Sequence, residues 1–376
     1  MQRPIHSIAD ARLRAKRRVP RLMFDYIDGA AGEETAAANN AQRYRDIRLL
    51  PRSFKDINQR DLSTQVFDQQ FALPFGIAPM GMCALSWHGA DKLLAQAAVS
   101  KQVPIGVSTA ASESLENMCQ WAPDNAWFQL YVGPSIDEAM KLLERAKKAG
   151  YKNLILTVDA QKVARRARDI KNGFQAPLKI GPRQFLDLAL HPHWSLTTLL
   201  KGKPELANFA NSPSDASFTR TATRGLLDDA FLKRLRDAWP GKLIIKGIVT
   251  VDNAQHAVDH GADAVYLSNH GGRQLDSAVA PIDQLPAVRA ALPSNIPLFI
   301  DSGVRSGDSI VKALAMGADF VFLGRPFLYA IGASGAKGLD EIFALLEDDI
   351  STVMAQVGCS SIAELDEHII YEEPRP

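Results

Sequence analysis

Cysteine is scarce in this chain of 376 residues, which contains only three. Cys83, Cys119 and Cys359 lie far apart, and none forms a CxxC pair. This spacing argues against a disulfide framework and against a thiolate zinc site. We therefore expect no metal, and we expect the protein to work in a reducing compartment.

An excess of one charge and long apolar runs are also absent. The formal net charge is +1, so nothing indicates a nucleic-acid partner. No run reaches the roughly 18 apolar residues that a membrane span needs. The N-terminus does not resemble a signal peptide, because Ser7 and Asp10 instead indicate the start of a helix through Ala9–Arg18. A cytoplasmic protein is the expectation.

Short apolar runs recur along the chain, each too short for a helix and typical of a strand buried on both faces. There are eight: Phe75–Ala78, Ile105–Val107, Trp127–Leu130, Leu154–Val158, Leu243–Ile245, Ala264–Leu267, Leu298–Ile300 and Phe320–Leu323. Amphipathic segments such as Ser135–Ala149, Val251–His260 and Gly307–Met316 separate many of them. Strands that alternate with helices indicate a parallel sheet, and eight such units favour a closed (β/α)8 or TIM barrel.

The whole chain, 1–376, is expected to form a single barrel domain with two additions. Residues 1–70 precede the first strand and predict an N-terminal helical extension packed around the barrel. Residues 169–228 form an insert after strand four that is much longer than an ordinary βα connection. Its prolines exclude one long helix, so a lid or binding segment is predicted.

Polar residues follow the predicted strands at their carboxyl ends, where barrel enzymes build their active sites. Glycines and the arginines Arg305 and Arg325 follow strands seven and eight. Loops at these two positions commonly bind phosphate in this fold, so a phosphate site is predicted. The alternative is a pair of tight turns with surface arginines.

His270 follows strand six and is the candidate general base. Such a base needs a carboxylate to orient it, and Asp159, after strand four, is the candidate. Arg166 and Arg273 are candidates to clamp a substrate carboxylate, and Tyr26 and Tyr131 to add hydroxyl donors. The alternatives are that Asp159 caps a helix and that the tyrosines fill core edges.

Lys246 ends an otherwise apolar strand, so its ammonium group must find an anion. A reduced flavin is one such anion, because it carries negative charge near N1. A structural ion pair is the alternative.

The stretch Ser268-Asn269-His270-Gly271-Gly272-Arg273-Gln274-Leu275-Asp276 resembles the signature of the FMN-dependent 2-hydroxy acid dehydrogenase/oxidase family. Phe128-Gln129-Leu130-Tyr131, Ile245-Lys246-Gly247 and Asp301-Ser302-Gly303-Val304-Arg305 match in the expected order. The resemblance covers nearly the whole chain. It implies an oxidoreductase that uses FMN to convert an (S)-2-hydroxy acid into the 2-oxo acid.

The resemblance also implies roles for particular residues. His270 is implied as the base, Asp159 as its partner, and Arg166, Arg273, Tyr26 and Tyr131 as the group that binds the substrate carboxylate. Flavin contacts are implied for Pro79, Met80, Gly81, Ser108, Gln129, Thr157, Lys246 and Ser268. The ribityl-phosphate site is implied for Asp301, Gly303, Arg305, Gly324 and Arg325.

Within the family, Ser108-Thr109-Ala110 and the insert resemble the mandelate-oxidising branch. Glycolate oxidases have tryptophan where this chain has Ala110, so Ala110 and Val163 are expected to line a pocket for a bulky or aromatic acid such as mandelate. Lactate as the substrate stays an alternative. So does peripheral membrane contact through 180–212 on the inner face of the cytoplasmic membrane, although the insert is shorter than in the membrane-bound branch.

The electron acceptor is expected to be a quinone, because Gly81 stands where oxidases of the family tend to have alanine. An oxidase that uses oxygen is the alternative. The resemblance further implies a homotetramer.

Overall fold

A computed structural model describes residues 3–133, 135–174, 180–209 and 227–371. A closed parallel barrel dominates it, with the strand order β10-β3-β4-β5-β6-β7-β8-β9, and the predicted TIM barrel is confirmed. The strands are β1 (Thr64–Val66), β2 (Gln69–Phe71), β3 (Phe75–Met80), β4 (Ile105–Ser108), β5 (Ala126–Leu130), β6 (Asn153–Thr157), β7 (Lys242–Ile248), β8 (Ala264–Leu267), β9 (Leu298–Ile300) and β10 (Phe320–Leu323).

Helices surround the barrel, and further helices precede its first strand and follow its last strand in the chain. They are α1 (Ile8–Arg18), α2 (Arg21–Asp28), α3 (Thr35–Asp46), α4 (Ala90–Ser100), α5 (Leu115–Trp121), α6 (Ile136–Ala149), α7 (Ala167–Asn172), α8 (Pro182–Ala189), α9 (Pro192–Lys201), α10 (Asp229–Ala238), α11 (Val251–Asp259), α12 (Pro281–Ala291), α13 (Gly307–Ala315), α14 (Arg325–Ser334) and α15 (Ala336–Val357). Local signals set several starts: the side chains of Ser7, Ser135 and Ser306 accept backbone hydrogen bonds as N-caps.

Large aromatic side chains fill the barrel interior. Tyr266 stacks on Phe322 at a centroid distance of 5.0 Å, and Trp127 meets Phe322 edge-on at 5.6 Å. The antiparallel hairpin β1–β2 adds Phe71, which packs 6.2 Å from Trp127. The barrel is therefore a packed core rather than a channel, and the polar groups are left to its mouth.

Two strands are irregular close to that mouth. The register of β3 shifts between Ile77 and Met80, and that of β7 shifts between Lys246 and Ile248. Gly247 has a φ of +102°, and a Cβ there would lie 2.7 Å from Cβ of Asp159. Only glycine permits this approach, so the irregularity in β7 makes room for a candidate catalytic carboxylate.

The N-terminal extension crosses the barrel mouth, and its backbone joins two site loops. The Ala31 N–H donates to the Gly272 carbonyl at 2.9 Å, and the Gly32 N–H donates to the Arg165 carbonyl at 3.0 Å. The Asp276 carboxylate accepts from the backbone of Glu33 at 2.8 Å, just before α3. Residues 26–40 therefore belong to the site as much as to the extension.

The insert contains α7 to α9 in its described part. Pro182 and Pro192 each occupy the first turn of a helix, so these prolines start helices as well as limiting their length. Trp194 is buried and donates its indole N–H to the Leu85 carbonyl at 3.0 Å, which docks α9 on the barrel. The material that the shorter insert lacks is expected after Asn211-Ser212-Pro213, and this stretch lies outside the described residues. Within the described ranges, the helices are all too short or too polar to cross a bilayer.

Candidate active site

His270, Asp159 and Tyr131 meet at the barrel mouth although they follow three different strands. His270 Nδ1 lies 3.1 Å from Asp159 Oδ1, and His270 Nε2 lies 3.1 Å from the Tyr131 hydroxyl. A carboxylate can only accept, so Nδ1 carries the proton and Nε2 presents a lone pair to the tyrosine O–H. Nε2 is the basic nitrogen of the pair.

The backbone around His270 is held in an unusual conformation. His270 has a φ of +58°, and Gly271 and Gly272 continue at +64° and +74°. A Cβ on Gly272 would lie 2.5 Å from the backbone nitrogen of Ala37, so the signature glycines allow the turn to dock on α3. The Asn269 side chain accepts from the Gly272 N–H at 3.1 Å and stiffens the turn.

Burial and charge set the ionisation of the His–Asp pair. Burial lowers the pKa of His270 below its usual value, although the Asp159 carboxylate opposes that shift. Burial works against ionisation of Asp159, but the attraction and hydrogen bond of His270 and the charge of Lys246 outweigh it and lower the Asp159 pKa. A neutral imidazole beside an ionised carboxylate is the state that a general base requires.

Lys246 lies in a buried network with Ser268 and Asp301. Its ammonium group donates to Ser268 Oγ at 2.6 Å and lies 3.0 Å from Asp301 Oδ2. The Ser268 hydroxyl donates to Asp301 Oδ1 at 2.6 Å and accepts from the His270 backbone N–H at 3.0 Å. Asp301 thus supplies the anion that Lys246 requires. Ser268 links this ion pair to the turn that carries His270.

A second buried row runs across the ends of β4, β5 and β6. The Ser108 hydroxyl donates to Gln129 Oε1 at 3.0 Å, and the Gln129 amide donates to Thr157 Oγ1 at 2.9 Å. The Ser108 hydroxyl also accepts from the Ala110 backbone at 3.1 Å. Three of the eight predicted flavin-contact residues are therefore brought together in one hydrogen-bonded line.

Arg166 and Arg273 both lie near the ring of Tyr26. The guanidinium carbon lies 5.9 Å from the ring centroid for Arg166 and 5.1 Å for Arg273. Burial lowers the pKa of Arg273 to about 9, and the like charge of Arg166 adds to that shift. Two neighbouring cations in a partly dry site favour an anionic ligand.

Arg305 and Arg325 follow β9 and β10 and are half-buried. In the part of the chain that the structure describes, no carboxylate pairs with either; Arg325 donates to the carbonyls of Ile27, Gly29 and Gly271, and Arg305 to that of Val304. Burial lowers the pKa of Arg305. Gly303, at a φ of +96°, turns the chain in the same region.

The end of β3 lies against the loop after β4. A Cβ on Gly81 would lie 3.0 Å from Cβ of Ala110, and the Met82 N–H donates to the Ala110 carbonyl at 2.8 Å. Pro79 crowds Gly106, where a Cβ would meet the proline nitrogen at 2.6 Å. Met80 faces Gly324, whose Cβ would lie 3.3 Å from the methionine sulfur. Val163 is half-buried in the segment after β6.

Three contributors to this site were not predicted from the sequence. Phe174 stacks on Tyr26 at a centroid distance of 4.5 Å. Asn40 and Asn269 form a buried amide pair, with 2.7 Å between Nδ2 and Oδ1 in each direction. In the sequence, the position of Asn269 beside His270 could have indicated a role for Asn269. No local pattern distinguishes Phe174 or Asn40.

The site and the fold agree with the comparisons with known proteins. A family model described as FMN-dependent dehydrogenase matches residues 15–372. An (S)-mandelate dehydrogenase of Pseudomonas putida is 36% identical, over 99% of this chain and 95% of its own length. An L-lactate dehydrogenase of Vibrio cholerae is 35% identical, over 96% of this chain and 97% of its own length.

Solved structures give the same picture. A monotopic membrane protein, (S)-mandelate dehydrogenase, superposes with a TM-score of 0.94 at 36% identity and covers 99% of this chain and 100% of its own. A mandelate oxidase superposes with a TM-score of 0.84 at 29% identity, covering 98% of both chains. The chain belongs to the FMN-dependent dehydrogenase family. It is an FMN-dependent 2-hydroxy acid dehydrogenase, an oxidoreductase that acts on CH–OH groups, as the signature around His270 predicted.

The residues present fit FMN on grounds that this structure supplies. Two half-buried guanidinium groups, neither paired with a carboxylate among the described residues, match the charge of a phosphate. The buried Ser108–Gln129–Thr157 row offers polar groups of the kind that bind a flavin ring, beside the cationic Lys246.

Replacement of Arg305 by methionine is expected to weaken FMN binding by roughly 10- to 150-fold, because a hydrogen bond to a charged group contributes about 1.5–3 kcal/mol. The stability of the apoprotein should not fall, since no ion pair is lost. Flavin titration of the apoprotein measures the first quantity and thermal unfolding the second. Arg17→Met, at an exposed arginine, is the control. An unchanged FMN affinity in Arg305→Met would move the phosphate elsewhere.

Proposed function

We propose that this enzyme oxidises a bulky or aromatic (S)-2-hydroxy acid, such as mandelate, to the 2-oxo acid and passes the electrons to a quinone. FMN, when bound, accepts the two electrons that leave the substrate. The protein's part is to bind the acid, to orient its α-carbon and to take up a proton. The small Ala110 beside Gly81 is the observation that carries the choice of substrate.

His270 Nε2 is proposed as the atom that accepts the proton from the hydroxyl or the α-carbon. The imidazole is neutral at neutral pH because burial lowers its pKa, and its lone pair faces the mouth beside the Tyr131 hydroxyl. Asp159 holds the Nδ1 proton and stabilises the imidazolium that forms. Asp159 Oδ2 is buried without a hydrogen-bond partner in the described structure. The negative charge of the carboxylate therefore stays available to the histidine.

Arg166 and Arg273, together with Tyr26, are proposed to hold the substrate carboxylate. Arg273 Nη1 already donates to the carbonyls of Tyr26 and Gly29, at 2.8 and 2.7 Å. Its position is therefore fixed before the substrate arrives, which lowers the entropic cost of binding. Burial, together with the like charge of Arg166, lowers the pKa of Arg273, and a bound carboxylate would counteract both effects.

Ala110 limits the size of the substrate side chain. Its carbonyl is fixed by Met82 and its amide by Ser108, so only the side chain can vary without moving the loop. A methyl group here leaves open the volume that a large side chain at this position would fill. One relative is named for mandelate and another for lactate. These two substrates differ in the size of their side chains, and that of mandelate is the larger.

The substitution Ala110→Trp tests this proposal. It should lower kcat/KM for mandelate by roughly 5- to 150-fold, since overpacking costs about 1–3 kcal/mol. The value for L-lactate should change much less, because its methyl group needs little space. Anaerobic flavin reduction by both acids measures the ratio, and flavin content controls for folding. A wild type that prefers lactate or glycolate to mandelate would contradict the proposed substrate but not the proposed base.

The pH profile of Asp159→Asn tests the proposed base. Activity should rise with pH as His270 loses its proton, and the acid limb of kcat/KM for the wild type should lie below pH 6.5. Asp159 raises the His270 pKa, so the asparagine should shift this limb to lower pH. It should also reduce the plateau by about 10²–10⁴ through loss of imidazolium stabilisation. A limb that stays in place would remove Asp159 from the mechanism.

The proposed quinone acceptor depends on Gly81. A methyl group at this position would crowd Ala110, with contacts of 3.0 and 3.1 Å, and glycine avoids that crowding. One methyl group contributes on the order of 1 kcal/mol, so it biases the choice of acceptor without deciding it. Oxygen is the second acceptor candidate, because a mandelate oxidase shares the fold at 29% identity.

A homotetramer remains our proposal for the assembly.

Peripheral membrane contact is a second proposed property of the insert. Phe185, Leu186, Leu196, Leu199 and Leu200 expose between 58% and 84% of their surface on α8 and α9. An apolar patch of this kind, beside Lys201 and Lys203, is typical of an interfacial segment. A structural relative at 36% identity is described as a monotopic membrane protein. We propose the inner face of the cytoplasmic membrane as the site of contact.

The double variant Leu199→Ser/Leu200→Ser tests this contact without removing the docked Trp194. Each leucine contributes about 1.5–3 kcal/mol when fully buried, so binding to anionic vesicles should weaken at least about tenfold. Co-sedimentation measures it, and Phe54→Ser, at an exposed aromatic outside the insert, is the control. Equal binding of both variants and the wild type would dismiss the patch as a membrane surface.

A further inference from the structure

A cluster of two histidines and an aspartate lies outside the active site. Asp229 is the first residue of α10, and His256 and His260 lie at the end of α11. Asp229 Oδ1 lies 2.9 Å from His256 Nε2, and Asp229 Oδ2 lies 3.6 Å from His260 Nε2. One potential ligand atom from each of the three residues lies within 4.8 Å of the others.

Helix geometry places the two imidazoles on one face, because residues four apart are neighbours on a helix surface. Their ring centroids are 4.2 Å apart. His260 Nδ1 lies 2.8 Å from the His256 carbonyl, so it donates its proton there and leaves Nε2 with a free lone pair. Metal-binding histidines commonly have such a second hydrogen bond, which fixes the tautomer and the ring orientation.

The spacing of these atoms suits a small divalent cation. Zinc lies about 2.0–2.2 Å from nitrogen and oxygen ligands, which puts tetrahedral ligand atoms about 3.4 Å apart. The two aspartate–histidine distances of 2.9 and 3.6 Å, each to a different oxygen of the Asp229 carboxylate, lie on either side of that value. The residues are partly exposed, so a metal ion can reach them and a water molecule can complete the coordination.

We propose that Asp229, His256 and His260 form a binding site for a borderline divalent metal ion of the Zn²⁺ class. Two imidazoles and one carboxylate favour zinc or copper over magnesium or calcium, which prefer oxygen ligands. The ion joins α10 to α11 on the outside of the barrel, where α11 packs against β7 and β8. The site takes no part in the reaction at the mouth and is independent of the proposed substrate.

Zinc titration of the holoenzyme tests the site, using protein without an affinity tag that has been treated with a chelator. Calorimetry should give one equivalent per chain. His256→Ala, His260→Ala and Asp229→Asn should each weaken binding at least about tenfold, since loss even of an outer partner of a ligand costs 10–100-fold. His368→Ala, at another histidine paired with a carboxylate, Asp366, should leave the affinity unchanged.

Two further readouts separate a metal site from a loss of structure. Zinc should raise the Tm of the wild type but not that of His256→Ala, while flavin reduction by substrate stays the same in both. Copper bound to the wild type should show coupling to two nitrogens in its EPR spectrum. Absence of zinc binding at millimolar concentration, or binding that survives the double change His256→Ala/His260→Ala, would overturn the proposal.

Discussion

The ion pair between Lys246 and Asp301 is the interaction around which the barrel mouth is arranged. Burial of two charges is costly unless each is fully paired, and here Ser268 bridges them at 2.6 Å on both sides. The three residues come from the ends of β7, β8 and β9, so the pair fixes these strand ends relative to one another. The same Ser268 hydroxyl accepts from the His270 backbone, and the position of the proposed base therefore depends on a charge pair that lies behind it.

The N-terminal extension supplies the opposite wall of the site with backbone atoms. Arg273 donates to the carbonyls of Tyr26 and Gly29 at 2.8 and 2.7 Å. Arg325 donates to those of Ile27 and Gly29 at 3.2 and 2.9 Å. A helix end has carbonyls without helical partners, and the carbonyls at the end of α2 accept from two arginines that follow β8 and β10. The cation proposed to bind the substrate and the one proposed to bind the phosphate thus share the Gly29 carbonyl as an acceptor.

The barrel and the meeting of His270 with Asp159 could be predicted because both follow from local patterns. Buried strands in a closed parallel barrel bring all their carboxyl ends to one mouth, and polar residues at those ends must then converge. The partners of Arg273, the Asn40–Asn269 pair and the Phe174 stack on Tyr26 could not be predicted in this way. They depend on the path of the extension and the insert across the mouth, which is decided by packing between segments distant in sequence.

One of the contacts between the insert and the extension is made by a carboxylate. Asp187, on α8, accepts from the backbone N–H groups of Arg21 and Leu22, at 3.1 and 3.2 Å, and so caps the start of α2. The same short helix carries Tyr26, two turns or fewer from that cap. The helix is about 12 Å long, the length of eight helical residues, so the cap and the ring of Tyr26 lie close together. The exposed face of the insert is thus connected to the aromatic ring at the mouth through one carboxylate and one short helix.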